Sequence, residues 1–102
     1  FVASAAFVKK NPDLTRKIVA AHVAATKELI DNPAIAVQTT IDQFKMSRPI
    51  AEASTKNLFF STDSGPAFQT GLKALAGMMI ENKMLDKAPD WDSFINTSFL
   101  AA

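Results

Sequence analysis

The sequence predicts a mainly α-helical chain with about five helices and one or two short strands. Two observations indicate helices: capping residues stand just before prolines, and between them apolar residues recur at helical spacing. Strand-type composition is confined to two four-residue runs, Phe1–Ser4 and Asn57–Phe60. With 102 residues and no linker or repeat, we take residues 1–102 as a single segment, one domain or less.

The composition is that of a folded protein and excludes several functions. Hydrophobic residues make up 48% of the chain and charged residues 21%, and 11 basic and 10 acidic residues leave a net charge of +1. Such a balance offers no basic face for nucleic acid. The chain has no cysteine and one histidine, His22, so a thiolate metal site is excluded and other metal sites are poorly supplied. We expect no metal and no cofactor.

The first helices are predicted over Ala5–Lys10 and Asn11–Asp31. In the short one, Phe7 and Val8 should face inward. In the long one, Asn11 should cap the first turn, Pro12 needs no hydrogen-bond acceptor there, and the residue before Pro33 ends the pattern. The expected apolar face consists of Leu14, Ile18, Ala21, Ala25 and Leu29, flanked by Val19, Val23 and Ile30.

The next two helices are predicted over Ala34–Phe44 and from Ser47 to about Lys56. The first has an apolar stripe of Ala34, Val37, Ile41 and Phe44. In the second, Ser47 is the expected cap. Asn57–Phe60 should follow as extended chain or a strand.

The C-terminal part predicts one long helix and one short helix. Asp63 should cap the long helix, which ends near Asn82–Lys83 and has a stripe of Phe68, Leu72, Leu75 and Met79. Gly71 and Gly77 weaken this helix and would be explained by close approach of another element. Asp90 should cap the short helix, through Ile95.

Few residues are candidates for ligand binding or catalysis. His22 could contact a ligand or carry a proton, but a packed imidazole in the apolar arc is the favoured interpretation. Asp63–Pro66 resembles an anion-binding helix start, yet the Asp63 carboxylate would repel an anion. Ser64 lacks the sequence context of a nucleophile. We therefore expect no enzyme activity.

Two further groups invite a functional interpretation. Three methionines, Met78, Met79 and Met84, could form a soft partner surface, but core filling is commoner. Three aspartates, Asp86, Asp90 and Asp92, lack the spacing of a calcium loop and are expected to form a solvated turn and a helix cap.

Several motifs in order resemble the substrate-binding proteins of ABC importers, specifically the aliphatic sulfonate, taurine, nitrate and thiamine-precursor group. They are the stretch Phe7–Leu14, the helix ending in Asp31-Asn32-Pro33, the turn with Met84-Leu85 and the tail Asn96–Leu100. The similarity covers nearly the whole chain and matches the last part of such a protein. Two positions depart from it: Asn82-Lys83 stands where the family often has glycine, and Asn96 where it often has aspartate.

The resemblance implies part of one lobe of a two-lobed α/β fold, the periplasmic-binding-protein type II fold. It implies a small, anionic solute, ABC permease subunits as partners, and a periplasmic or other extracytoplasmic location with or without a lipid anchor. Ligand contacts in the family come mostly from upstream loops, so no ligand-binding residue is assigned here. The chain alone should self-associate. The alternative is a stand-alone helical module that binds a protein through its methionine- and phenylalanine-rich face.

Overall fold

The computed structural model describes residues 2–100, which form six α helices. They are α1 (Ala5–Lys10), α2 (Pro12–Asp31), α3 (Pro33–Phe44), α4 (Arg48–Thr55), α5 (Pro66–Glu81) and α6 (Trp91–Phe94). The mainly helical prediction is confirmed, and the helix bounds agree with the predicted ones within a few residues. The chain divides into two compact units, Phe1–Thr62 (unit 1) and Asp63–Ala102 (unit 2).

The predicted short strands are wrong for the part of the chain that the structure describes, residues 2–100, where no strand forms. Val2–Ser4 leads into α1, and the Ser4 hydroxyl caps this helix by accepting from the Phe7 N–H at 3.1 Å. Phe1 lies outside the described residues. Leu58–Phe60 has no regular structure. A strand needs a neighbouring strand for its backbone hydrogen bonds, and neither of these short runs has one.

Prolines mark the starts of α2 and α3, as predicted, but the preceding asparagine side chains do not cap these helices. Asn11 belongs to two helices at once, because it also ends α1. Its side-chain Nδ2 donates backwards to the Phe7 carbonyl at 3.2 Å, and its own carbonyl accepts from the Thr15 N–H at 2.9 Å. The prediction that the Asn11 side chain caps the start of α2 is therefore wrong, because this side chain bonds to the end of α1 instead. Ser47 is the N-cap residue of α4, also without a side-chain bond to the helix.

Unit 1 is built from consecutive helix pairs. α1 packs against α2, α2 against α3, and α3 against α4, with the last pair the most extensive. The buried apolar side chains are small, because Ala51 is fully buried and Ala36 nearly so. Alanine at buried positions lets two helix axes approach closely.

Threonines occupy the buried positions of α2. Thr15 and Thr26 are both buried, and each hydroxyl donates to the carbonyl four residues earlier at 2.8 Å. Thr40 of α3 and Thr55 of α4 do the same. Because the helix itself satisfies these hydroxyls, they can be buried without an unpaired donor.

The predicted apolar faces are only partly the buried ones. In α2, Ile18 and Leu29 are half-buried, whereas Leu14 is exposed and the buried side lies nearer to Thr15 and Thr26. In α3, Val37 and Ile41 are half-buried, but Phe44, expected to face inward, is exposed.

α5 begins after a turn that the Asp63 carboxylate holds. Its Oδ1 accepts from the Gly65 N–H at 2.9 Å, and Gly65 is the N-cap residue of the helix. Asp63 therefore organises the turn two residues before the cap instead of capping the first turn, which corrects the prediction. The carboxylate is too far back along the chain to be the N-cap residue, since proline at N1 fixes the start of α5.

α5 ends in a left-handed cap, in agreement with the end predicted at Asn82–Lys83. Lys83 has φ 58°. Its N–H donates to the Ile80 carbonyl at 3.0 Å, and the Met84 N–H donates to the Met79 carbonyl at 2.8 Å. These two bonds form a Schellman motif, in which glycine is the usual left-handed residue.

The glycines of α5 do not mark close contacts. No atom lies within 4 Å of where a Cβ at Gly71 or Gly77 would be, so the expected approach of another element is wrong for the described residues. The short helix α6 follows the prediction, because Asp90 Oδ1 accepts from the Asp92 N–H at 3.3 Å. The Lys73 ammonium lies 6.0 Å from the centre of the Trp91 ring and so connects α5 to α6.

Candidate functional site

Unit 1 carries a shallow, open apolar groove of about 450 Å³. The end of α2, the start of α3, the end of α4 and the irregular Leu58–Phe60 segment form it. Its lining residues are Leu29, Ile30, Pro33, Ala34, Ala36, Val37, Glu52, Thr55, Lys56, Leu58, Phe59 and Phe60. We call this surface the α2–α3 groove.

A second depression of about 360 Å³ continues the same surface. The two share Leu29, Ala36, Leu58 and Phe60. Leu58 and Phe60 thus line both hollows. The second hollow adds Ala25, Glu28, Ile35, Thr39 and Thr40 to the lining.

The chemistry of the α2–α3 groove is that of an apolar docking surface. Its charged lining residues are Glu52 and Lys56, and Glu28 lines the second hollow; all three are exposed. Pockets for polar solutes hold a few convergent polar groups that fix orientation. Here the most prominent group is Phe59, which is 91% exposed. The groove therefore suits an apolar partner group better than a small anion.

His22 lies on the exposed surface of α2, so the interpretation as a packed core imidazole is wrong. Its neighbours along the buried side, Thr15 and Thr26, lie near the two ends of α2. The helices that pack on α2 are α1, which precedes it, and α3, which follows it. The His22 carbonyl accepts from the Thr26 hydroxyl at 2.8 Å.

The other candidate residues serve local structure. The Ser64 carbonyl accepts from Gln69 Nε2 at 3.0 Å, which ties the turn before α5 to its first helical turns. Asp90 Oδ2 accepts from the Ser93 hydroxyl at 3.2 Å, as expected of a helix cap. Asp86, Asp90 and Asp92 do not assemble into a cation site, because no group of three potential ligands occurs among residues 2–100.

The methionines are more exposed than predicted. Met79 is half-buried, whereas Met78 is 53% and Met84 72% exposed. The prediction that they fill a core is thus wrong for Met78 and Met84. Their outward position adds apolar surface to unit 2.

No sequence prediction placed a groove here, because its lining combines the apolar Leu58-Phe59-Phe60 run with helices earlier in the chain. Asn57–Phe60 is predicted to be extended chain or a strand, whose side chains would alternate between two faces. Without a sheet, the run instead follows the helices, and consecutive large side chains come to line one surface.

Comparison of the chain with protein-family models, curated proteins and solved structures gives no match. Across residues 2–100, no helix has both the length and the apolar character needed to cross a bilayer.

Proposed function

We propose that this chain is the C-terminal part of the solute-binding component of an ABC importer, and that its helices cover one lobe of an α/β fold. The solute is a small anion such as a sulfonate or nitrate, held by residues upstream of this segment. The protein acts outside the cytoplasm, delivers its ligand to the permease and has no catalytic role.

The observation that carries the proposal is the pair of Asn-Pro helix starts. Pro12 and Pro33 begin two consecutive helices, and the first of them, α2, has 20 residues. This order and spacing are the ones in which the sequence resembles the importer family.

The exposure of apolar side chains supports the same proposal. Helices of an α/β lobe bury their apolar sides on a sheet. In this chain Leu14, Ile30, Phe44 and Leu75 are about half exposed or more, and so are suited to such covering.

The test is solute binding by the protein encoded by the complete reading frame. Taurine, an alkanesulfonate, nitrate and a pyrimidine precursor of thiamine are titrated during thermal unfolding, with an uncharged sugar as control. A ligand at 100 times its Kd adds about 2.7 kcal/mol to the free energy of unfolding. A reading frame that starts just before Phe1, or a full-length protein that no solute stabilises, would contradict the proposal.

The second candidate is a stand-alone helical module that binds a protein partner. It is favoured by exposed phenylalanines and methionines in both units: Phe44, Phe59, Phe68, Phe94, Met78 and Met84. Large exposed apolar patches are typical of interaction sites. The reading frame separates the two candidates, because the module needs no upstream lobe and the importer component requires one.

A further inference from the structure

Three of the four methionines in the chain lie at the C-terminal end of α5. Met78 and Met79 belong to its last turns, and Met84 is the second residue after the helix cap, Asn82. The fourth methionine, Met46, lies in unit 1, between α3 and α4. We call Met78, Met79 and Met84 the methionine cluster.

The left-handed cap at Lys83 folds Met84 back onto the end of α5. The Met84 N–H donates to the Met79 carbonyl at 2.8 Å, the longer of the two bonds of the Schellman motif. In this motif the side chain two residues beyond the cap commonly contacts those three and four positions before the cap. Here these are Met79 and Met78. The three side chains therefore extend from the same end of one helix.

The sulfur atoms of the methionine cluster are open to solvent at its outer side. Met84 is 72% and Met78 53% exposed, whereas Met79 is half-buried. Methionine is unbranched, with three rotatable bonds and a polarizable thioether, so its side chain adapts to a bound group. An ion can thus reach the two outer sulfurs from solvent, and Met79 supports the site from below.

We propose that the methionine cluster binds a soft monovalent metal ion, Cu⁺ or Ag⁺, through its three sulfur atoms. Thioethers are soft ligands that select such ions, whereas oxygen ligands suit Mg²⁺ and Ca²⁺. The expectation of no metal site follows from the missing cysteines and the single histidine, and thioethers are a different class of ligand. The proposal rests on neither candidate function of the chain.

The charges at this end of α5 suit a cation. The end of a helix carries a partial negative charge from its last carbonyl groups. Glu81, the last residue of α5, is acidic and Lys83 is basic, and both are exposed. Their charges offset each other, so the helix end remains to favour a positive ion.

Nuclear magnetic resonance of the methionine methyl groups provides the first test. The chain is labelled with ¹³C at these methyls and titrated with silver nitrate, a soft probe that undergoes no redox reaction here. His22→Gln serves as the background, because it removes the only imidazole. We expect the signals of the methionine cluster to shift together and to saturate at one Ag⁺ per chain. The Met46 signal is the internal control and should stay in place.

The choice of metal is tested in the same spectra. Zn²⁺ takes thiolate, imidazole and carboxylate ligands, so zinc nitrate should leave all the methionine signals unchanged. Equal shifts of Met46 and the methionine cluster under Ag⁺ would show independent weak contacts with each sulfur and overturn the proposal. The absence of any shift would do the same.

Substitution tests whether the sulfurs act as one site. Met79→Leu and Met84→Leu should each raise the dissociation constant for Ag⁺ by at least about tenfold, since each removes one of three ligands. Leucine keeps the volume and the apolar character of the side chain. Met46→Leu is the matched control and should bind like the background chain. Circular dichroism verifies that the helices are kept, and an unchanged dissociation constant in Met84→Leu would overturn the proposal.

Discussion

Arg48 Nη2 donates a hydrogen bond to Gln38 Oε1 at 2.9 Å, and this contact connects the first residue of α4 to α3. Gln38 in turn donates through Nε2 to Asp42 Oδ1 at 2.9 Å. The amide of Gln38 is therefore held from both ends. The contact joins α3 and α4, which form the most extensive helix pair of unit 1.

A double-mutant cycle of Arg48→Ala and Gln38→Ala should give a coupling energy of about 0.5–1 kcal/mol in urea unfolding, the range of a solvent-exposed hydrogen bond to a charged donor. The matched comparison is Arg16 with Asp13, an exposed pair within one turn of α2 at 2.9 Å. Its cycle should give no more than about 0.5 kcal/mol. Strict additivity of the Arg48 and Gln38 variants would show that the contact does not hold α4 to α3.

Ala51→Leu should destabilise the chain by about 1–3 kcal/mol, because Ala51 is completely buried and the added carbons have no space. Ala53→Leu on the same helix is the control, since Ala53 is exposed. Leucine there should change the free energy of unfolding by less than about 0.5 kcal/mol. Equal effects of the two substitutions in urea unfolding would argue against the packing of α4.

Lys83→Gly should stabilise α5 by about 1 kcal/mol, because Lys83 has φ 58° and a side chain disfavours this left-handed backbone. Lys45, with φ 55° at the end of α3, should respond in the same direction. Lys56 has φ −60°, so Lys56→Gly should lower stability instead. Melting temperatures of the three variants test this, and a destabilising Lys83→Gly would contradict the cap geometry.

His22→Ala should alter the free energy of unfolding by no more than about 0.5 kcal/mol, since His22 is exposed and alanine is a good helix former. Chemical denaturation at neutral pH measures it. A decrease of more than about 1 kcal/mol in the free energy of unfolding would indicate that the imidazole is packed against other side chains.

Asp63→Ala should lower stability by about 0.5–1 kcal/mol through loss of the bond to the Gly65 N–H. Asp63→Asn keeps an oxygen acceptor at the same place and should retain most of that stability. The pair of variants separates the hydrogen bond from the charge. If asparagine were as damaging as alanine in a urea titration, the charge and not the turn would be the stabilising feature.

The sequence predicts where the helices lie because their boundaries are set locally. Proline at the start of α2, α3 and α5 fixes these ends whatever surrounds them. Which side of a helix is buried depends on the neighbouring helices, so periodicity alone placed His22 and Phe44 inside. Both are exposed.

The structural features that the sequence did not predict also depend on the surrounding chain. The composition of Asn57–Phe60 favours extended chain or a strand, but a strand needs a partner strand, and residues 2–100 contain none. Lys45 and Lys83 adopt left-handed backbone without the glycine that usually indicates it. The α2–α3 groove arises from parts of the chain that are distant in sequence, so no local pattern predicts it.

The pairing of each helix of unit 1 with the next one along the chain has a kinetic consequence. α1–α2, α2–α3 and α3–α4 each close only a short connection, so little chain entropy is lost before a contact forms. Domains dominated by such local contacts fold in microseconds to milliseconds. Unit 1 can therefore assemble helix by helix as it leaves the ribosome.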